Sequence, residues 1–399
     1  MFDLDPMRNP YAPGAGNKPP VIAGRDDLVT TATTALARAR LGRHAKSFIA
    51  VGLRGVGKTV VLNRILDIAE DDKFHVVYIE AHENANLAQL IIPQLRKVLI
   101  KLSKSAQAGE LAKQGLSILK NFANAFKATY NDIEFGISFP DTQGVADSGD
   151  LSNDLPELLN IVGQTAKSKN TAVVLLIDEL QYLSHEEMGA LVMAIHRMNQ
   201  RGLPIVLVGA GLPQLLGKMG DSKSYAERLF DFPRVEALTE PYARIALSEP
   251  AESEGVQIEE EAFSALLDVT KGYPYFLQEW GYVAWNIASN DRITLSDVLN
   301  AGPEAIRRLD ESFFRVRLER MTPTERKYIS AMAKLGDGPH ASGDIAKAYG
   351  AAVSTVAPLR SSLIAKGMIF SPSYGTTDFT VPLFASFIQR EMPQSTPRI

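Results

Sequence analysis

The sequence predicts an α/β fold: a parallel sheet with helices on both faces, followed by an all-helical segment and a small helix-and-hairpin module. Three observations carry this prediction. First, Gly52-Leu-Arg-Gly-Val-Gly-Lys58-Thr59 satisfies the phosphate-loop pattern G-x-x-x-x-G-K-[ST] in full. Second, it lies between the apolar run Ser47 to Val51 and the helix-patterned run Val60 to Leu66, so strand, glycine loop and helix follow in order. Third, two more apolar runs, Val173 to Ile177 and Pro204 to Val208, alternate with helical patterns. Continuous apolar strands alternating with helices mean a sheet buried on both faces.

Along the chain, residues 1–20 are rich in Pro, Gly and Asn and read as an extended arm. A P-loop core is expected over 21–240, with an insertion at about 103–150. It opens on a helix over 27–45, where Leu28, Ala32, Leu36 and Ala39 recur near helical period. Lys73 to Ala81 reads as a strand and Ala85 to Leu102 as a helix. Within the insertion, Leu111 to Phe126 is amphipathic and helical, whereas Ile133 to Phe139 alternates strictly and predicts a half-exposed strand. Ser152 to Ser168 reads as a helix with Pro156 in its first turn. A further strand is expected near Arg234 to Leu238, and a helical lid over 241–310.

The module at 321–399 starts with Thr322-Pro-Thr-Glu325, an N-cap with proline at N1 and Glu at N3. A helix to about Leu335, a second over Ser342 to Tyr349 and a third over Val353 to Lys366 precede two short strands joined at Ser371 to Thr377. Three helices and a hairpin make the pattern of a winged helix-turn-helix.

The motifs point to a nucleoside triphosphate. Backbone N–H groups of Gly52, Gly55, Val56, Gly57 and Val60 would face phosphates at a helix N-terminus. Lys58 would reach the β- and γ-phosphates, and Thr59 would hold Mg²⁺. The second strand ends in Asp178-Glu179, the Walker B pattern: Asp178 for the metal shell and Glu179 as general base. Arg228 is the candidate arginine finger of an oligomer; its bland reading is a surface Arg paired with Glu227 or Asp231. Tyr273, Phe276 and Trp280 share a helix face, as lid core or as a stacking surface for adenine.

Composition narrows the class further. The 399 residues are 45% apolar and 22% charged, as in an ordinary globular protein of two or three domains. No apolar run is long enough to span a bilayer, and no signal peptide is expected at the start. The absence of Cys excludes disulfides and thiolate metal sites and is compatible with the cytoplasm. Net charge is −4, yet Arg320 onward carries nine bases against five acids, a surplus of +4, leaving −8 elsewhere. This asymmetry points to an anionic partner for the C-terminal module. Ser354, Thr355, Arg360 and Ser361 on its third helix are the candidate contacts to double-stranded DNA.

On these residues the chain resembles bacterial AAA+ P-loop ATPases of the origin-recognition-like and archaeal-type STAND kind. Val21-Ile-Ala-Gly24-Arg25-Asp26 resembles their hhGRE element near the adenine, which would place Arg25 there. Asp178-Glu179-Leu-Gln181 resembles the archaeal-type Walker B tail, and Gly272-Tyr-Pro274 the G-x-P motif of STAND lids, whose proline approaches base and phosphates. The opening Asn9 to Gly16 resembles bacterial ATP-binding proteins. The resemblance implies ATP or ADP with Mg²⁺, slow hydrolysis, and a homo-oligomer or a separate effector protein as partner. It implies a polar sensor 1 after the third strand, where Gly209-Ala-Gly211 stands instead, and a sensor 2 Arg with no clear equivalent. Two outputs follow: nucleotide-gated DNA binding, or a switch whose winged helix clamps the ATPase. A small-molecule kinase is the third reading, disfavoured by the lid and winged-helix patterns.

Overall fold

The computed structural model describes residues 4–14, 16–83, 86–104, 109–127, 142–222 and 226–392. The expected strand at Ile133 to Phe139 lies outside them. The chain forms two compact units, one of residues 25–51 and 58–234, the other of residues 1–24, 52–57 and 235–399.

The first unit is the α/β core. In chain order its elements are α1 (Asp26–Arg40), β1 (Ser47–Val51), α2 (Lys58–Asp71), β2 (His75–Glu80), α3 (Leu87–Ser103), α4 (Gly109–Ala125) and α5 (Leu151–Ser168). β3 (Val173–Asp178), α6 (His185–Gln200), β4 (Ile205–Gly211), α7 (Leu215–Ser222), α8 (Ala226–Leu229) and β5 (Phe230–Asp231) complete it. The sheet runs β2-β3-β4-β1-β5, parallel throughout. Every residue of β1, β3 and β4 is buried, which is why these strands read as unbroken apolar runs. β2 closes one edge and is only partly covered.

The fifth strand departs from expectation. Pairing with β1 begins at Phe230, and only an isolated bridge joins Arg234 to Val51. Pro233 has no N–H to donate and ends the ladder, while its carbonyl accepts from Val51 N at 2.9 Å. The helical half of the expected insertion is part of the core. α4 packs against α3 and α5, burying Leu116, Leu119 and Phe122. Gly115 permits this approach: a Cβ there would lie 2.7 Å from Leu99 Cδ2.

The second unit contains α9 (Glu240–Ser253), β6 (Gln257–Ile258), α10 (Glu260–Thr270), α11 (Pro274–Ile287), β7 (Arg292–Ile293) and α12 (Leu295–Leu309). The segment expected to be all helical thus also carries a two-residue parallel pair, β6 with β7. A π-turn, Asp310–Phe314, leads into α13 (Arg315–Glu319). Then come α14 (Pro323–Ala333), β8 (His340–Ala341), α15 (Ser342–Tyr349), α16 (Val353–Ala365), β9 (Ile369–Phe370), β10 (Thr376–Phe379) and α17 (Phe384–Glu391). The three strands of this module order as β8-β10-β9, antiparallel. The capping box expected at Thr322 and Glu325 forms, and α16 runs unbroken through Pro358.

The π-turn turns adjacent phenylalanines toward different partners. Phe313 stacks on Tyr275 of α11 at 4.5 Å, while Phe314 stacks on Phe387 of α17 at 5.2 Å. Arg390 of α17 grips Asp310 with two hydrogen bonds, at 2.6 and 3.1 Å. The residues before Gly14 form a strap on α9 and α11. The Tyr11 ring is buried and its hydroxyl donates to Leu247 O at 2.7 Å. Asn9 Nδ2 donates to Tyr282 O at 2.9 Å, and Trp285 Nε1 to Asp5 O at 3.1 Å. Gly281 makes room: a Cβ there would meet the Tyr11 ring at 2.8 Å.

Candidate functional site

β1 and β3 are separated by β4, and the residues at their carboxyl ends converge across it. Thr59, second residue of α2, donates its hydroxyl to Asp178 Oδ2 at 2.6 Å. Asp178 is 2% exposed and Lys58 6%. Burial pushes the Asp178 carboxyl above its usual range; the Thr59 hydrogen bond opposes this, Glu179 adds to it, and Lys58 and the Glu179 N–H oppose it again. A buried carboxylate beside a hydroxyl is a hard-oxygen pair that suits Mg²⁺, which takes one or two protein oxygens and completes its shell with phosphate and water. Among the described residues no cluster of three or more His, Asp or Glu could hold a metal by itself.

Glu179 follows with φ 55°, a left-handed conformation unusual for a residue with a side chain. Backbone strain of this kind concentrates at functional sites. Its N–H donates to Asp178 Oδ1 at 2.8 Å, and its carboxylate accepts from Gln181 Nε2. Gln181 Oε1 in turn accepts from Leu212 N at 3.0 Å, just past the end of β4. The side chain sequence reasoning missed is therefore Gln181. It ties the candidate base to the strand where a polar sensor was sought. Its presence in Asp178-Glu179-Leu-Gln181 was the only signal. The small residues of β4 are explained by the same approach. A Cβ on Gly209 would lie 2.3 Å from Leu180 Cδ1, and one on Gly211 would lie 2.7 Å from Leu215 Cδ2 and 2.9 Å from Gln181 Oε1.

The loop Gly52–Gly57 belongs to the unit that holds α11. Gly55 and Gly57 have φ of 81° and 93°, the left-handed backbone the loop requires. A Cβ on Gly55 would meet the Tyr273 ring at 3.0 Å, and the Tyr273 hydroxyl donates to Arg54 O. Gly272 sits at φ 69° with its Cα against Leu238, whose N donates to Gly272 O at 2.8 Å. Pro274 is the first residue of α11. Val56 is buried, whereas Val60 is half-buried on α2. Arg25 caps α1, and burial pulls its guanidinium below the usual value. Tyr273, Phe276 and Trp280 are buried side by side, the lid-core reading.

Arg228 is exposed on α8 and lines a cavity of about 540 Å³ with His44, His196 and Asn199. It lies at the amino end of β1, where Phe230 pairs with Ser47, whereas Thr59 and Asp178 lie at the carboxyl ends. Five parallel residues separate the two ends by about 13 Å. The fold therefore does not bring Arg228 to its own chain's Asp178.

On α16, Ser354, Thr355 and Ser361 are exposed. Arg360 is half-buried: its Nε donates to Thr377 Oγ1 at 2.8 Å and its Nη2 to Ser371 Oγ at 2.8 Å.

Residues 21–208 match the model described as "AAA ATPase domain". They carry the loop, β3 and the Asp178-Glu179 pair. Residues 311–388 match a "Domain of unknown function (DUF8462)". Among solved structures, the Walker-type ATPase PABY2304 of Pyrococcus abyssi is 14% identical, covers 92% of this chain and 96% of its own, and has a TM-score of 0.58. This likeness is one of fold. Orc1 of Aeropyrum pernix, in complex with DNA, is 17% identical over 96% of each chain, with a TM-score of 0.47. Cdc6p of Pyrobaculum aerophilum is 15% identical over 98% of this chain and 100% of its own, with a TM-score of 0.46. No curated protein matches. Among the described residues, no helix is long and apolar enough to cross a membrane.

Proposed function

We propose that this chain is a slow Mg²⁺-dependent ATPase of the AAA+ kind. The observation that carries the reading is the Thr59–Asp178 hydrogen bond with Glu179 held alongside by Gln181. Bound ATP would lay its β- and γ-phosphates on the loop N–H groups and Lys58. Thr59 and Asp178 would hold Mg²⁺, which neutralises charge on the phosphates. Glu179 would accept the proton of the attacking water, and Gln181 would hold that carboxylate in place. Arg228 would serve a neighbouring copy, since it lies at the far end of its own strands. The test compares wild type with Lys58→Ala by ATP titration calorimetry and phosphate release. Undiminished ATP binding by Lys58→Ala would sink the assignment.

The output we infer is a nucleotide switch, in which the module at 323–391, a winged helix, acts as a clamp on the lid helices α9 to α12. The supporting observation is how the module's cations are used. Arg390 pairs with Asp310, Lys366 with Glu325, and Arg326 donates to the carbonyls of Leu318 and Met321. These three cations, of the nine from Arg320 onward, are thus engaged within the unit. ADP would favour the clamped state, and ATP the state that recruits a separate effector or further copies of the chain.

A second reading keeps duplex DNA as the partner. It is supported by the exposed Ser354, Thr355 and Ser361, and by the absence of any acid between Asp344 and Asp378. Hydroxyls of this kind contact backbone phosphates more than base edges. Anisotropy of labelled duplex with ATP, with ADP and without nucleotide, at two salt concentrations, separates the readings. Salt-sensitive, nucleotide-dependent binding favours DNA; no binding in any state leaves the clamp.

A further inference from the structure

We propose that Lys218 is a positioning residue for the candidate base Glu179, acting through the turn that carries Gln181. The role rests on the ATPase function proposed above. Glu179 opens a single 3-10 turn, Leu180–Tyr182, on a left-handed backbone. Tyr182 N donates to Glu179 O at 3.0 Å, and Leu183 N to Leu180 O at 3.1 Å. A turn this short holds its shape poorly on its own bonds. Support comes from α7. Lys218 Nζ donates to Gln181 O at 3.0 Å and to Leu183 O. An ammonium has three N–H groups, so it can serve two carbonyls at once. Cations are favoured beside the last carbonyls of a helical turn, which lack partners within it.

The helix that aims Lys218 is itself anchored. Leu215 and Met219, four residues apart on one face of α7, are buried, and the helix packs on α6 and on the turn. Lys218 is half-buried between them. Burial lowers its pKa, and the charge of Glu187 opposes this. Glu187 is held in turn, accepting from Leu87 N at 2.6 Å and from Ser184 N at 2.8 Å. A cation drawn out of water is costly unless its N–H groups are used, and here two backbone carbonyls use them.

Gln181 is thus held at both ends. Its side-chain amide spans the Glu179 carboxylate and Leu212 N, and its backbone carbonyl rests on Lys218. The strained backbone of Glu179 persists only while its surroundings enforce it. Without the Lys218 bonds the turn would relax, and the Gln181 amide would leave the carboxylate it orients. Lys218 touches neither of the candidate magnesium ligands in this arrangement, so its loss should reach the chemical step and spare ATP binding.

The test measures phosphate release, and ATP affinity by calorimetry, on the full chain. The proteins are wild type, Lys218→Met, Lys218→Arg, Gln181→Ala and the double variant Lys218→Met with Gln181→Ala. Lys218→Met should lower kcat about tenfold with ATP affinity unchanged. Lys218→Arg should recover most of that loss, since a guanidinium also offers several N–H groups. In the double variant kcat should fall no further than in Gln181→Ala alone, because both changes act on one carboxylate. Where Lys218→Met does not fold, Lys218→Gln, shorter and uncharged, takes its place in the same comparison. A wild-type kcat without the lysine, a loss that Lys218→Arg does not relieve, or losses that multiply in the double variant would each overturn the role. A fall in ATP affinity that accounts for the lost rate would overturn it too. Wild type that releases no phosphate would instead end the ATPase reading, and the role with it.

Discussion

The Thr59 hydroxyl donates to Asp178 Oδ2 at 2.6 Å, although 119 residues separate the two in sequence. That hydrogen bond joins the first turn of α2 to the carboxyl end of β3, across β4, which ends in Gly209-Ala-Gly211. It places the two candidate magnesium ligands together in an interior where the carboxylate is costly.

The first prediction follows from that cost. Burial raises the folded-state pKa of Asp178 above its unfolded value, the reverse of a salt-bridged carboxylate. The native state then binds the proton more readily than the unfolded chain does. Stability from this group is greatest at low pH and falls as pH rises through the raised pKa. Asp178→Asn keeps an oxygen for Thr59 and removes the charge. Without nucleotide, the variant is expected to melt higher than wild type at pH 7.5, with the difference shrinking toward pH 4. It is expected to lose the stabilisation by Mg²⁺ and ATP that the proposed function predicts for wild type. Thermal melts at the two pH values, with and without Mg-ATP, read both effects. A lower melting temperature without ligand would contradict the assigned burden.

The second prediction separates the proposed base from its proposed positioner. Glu179→Gln keeps size and hydrogen bonding but cannot take a proton, so kcat should fall about 100-fold or more while ATP affinity holds. Gln181→Ala removes the Gln181 hydrogen bond to the Glu179 carboxylate and with it the link to Leu212 N. Its expected loss is smaller, about tenfold in kcat, with KM unchanged. Added to Glu179→Gln, it should cost little more, because a positioner has nothing left to position. Additive losses in the double variant would show that Gln181 acts independently.

The glycine loop, the buried strands and the Asp178-Glu179 pair were legible because each is local: apolar run, motif and helix follow one another. Strand order was not legible, since nothing in a sequence states that β4 lies between β1 and β3. For the same reason Gly209 and Gly211 read as a missing sensor, when they are the clearance for Leu180, Leu215 and Gln181. The fifth strand was misplaced because its two paired residues are too few for a pattern. The fate of the C-terminal cations was likewise hidden: counting Arg390 and Lys366 gives a surplus, but only the fold shows Asp310 and Glu325 opposite them.

A third prediction concerns the N-terminal strap. Tyr11 is 3% exposed, seated against Gly281 and hydrogen bonded to Leu247 O. Tyr11→Ala opens a void of aromatic size, costing about 3–5 kcal/mol. Tyr11→Phe removes only the hydroxyl and should cost about 1 kcal/mol. Urea unfolding of the full chain gives both numbers. A loss under about 1 kcal/mol for the alanine variant would show that the strap contributes little to this unit.

The last prediction tests the join between α14 and α16. Burial works against the Glu325 carboxylate, yet hydrogen bonds from Lys366, Thr322 N and Ser362 outweigh it and hold its pKa at about 2, against 4.5 for an ordinary Glu. A depressed carboxylate stabilises the fold in full above the unfolded pKa. That contribution declines as pH falls below about 4.5 and is gone below about 2. Glu325→Gln removes the charge and leaves Lys366 Nζ, 2.8 Å away in wild type, without its counter-ion. The variant should therefore be less stable than wild type at pH 7, with the gap narrowing steadily between pH 4.5 and pH 3. Chemical unfolding midpoints across that range measure the gap. A gap that stays constant with pH would mean that the capping hydrogen bonds at Thr322, and not the carboxylate charge, hold this corner of the module together.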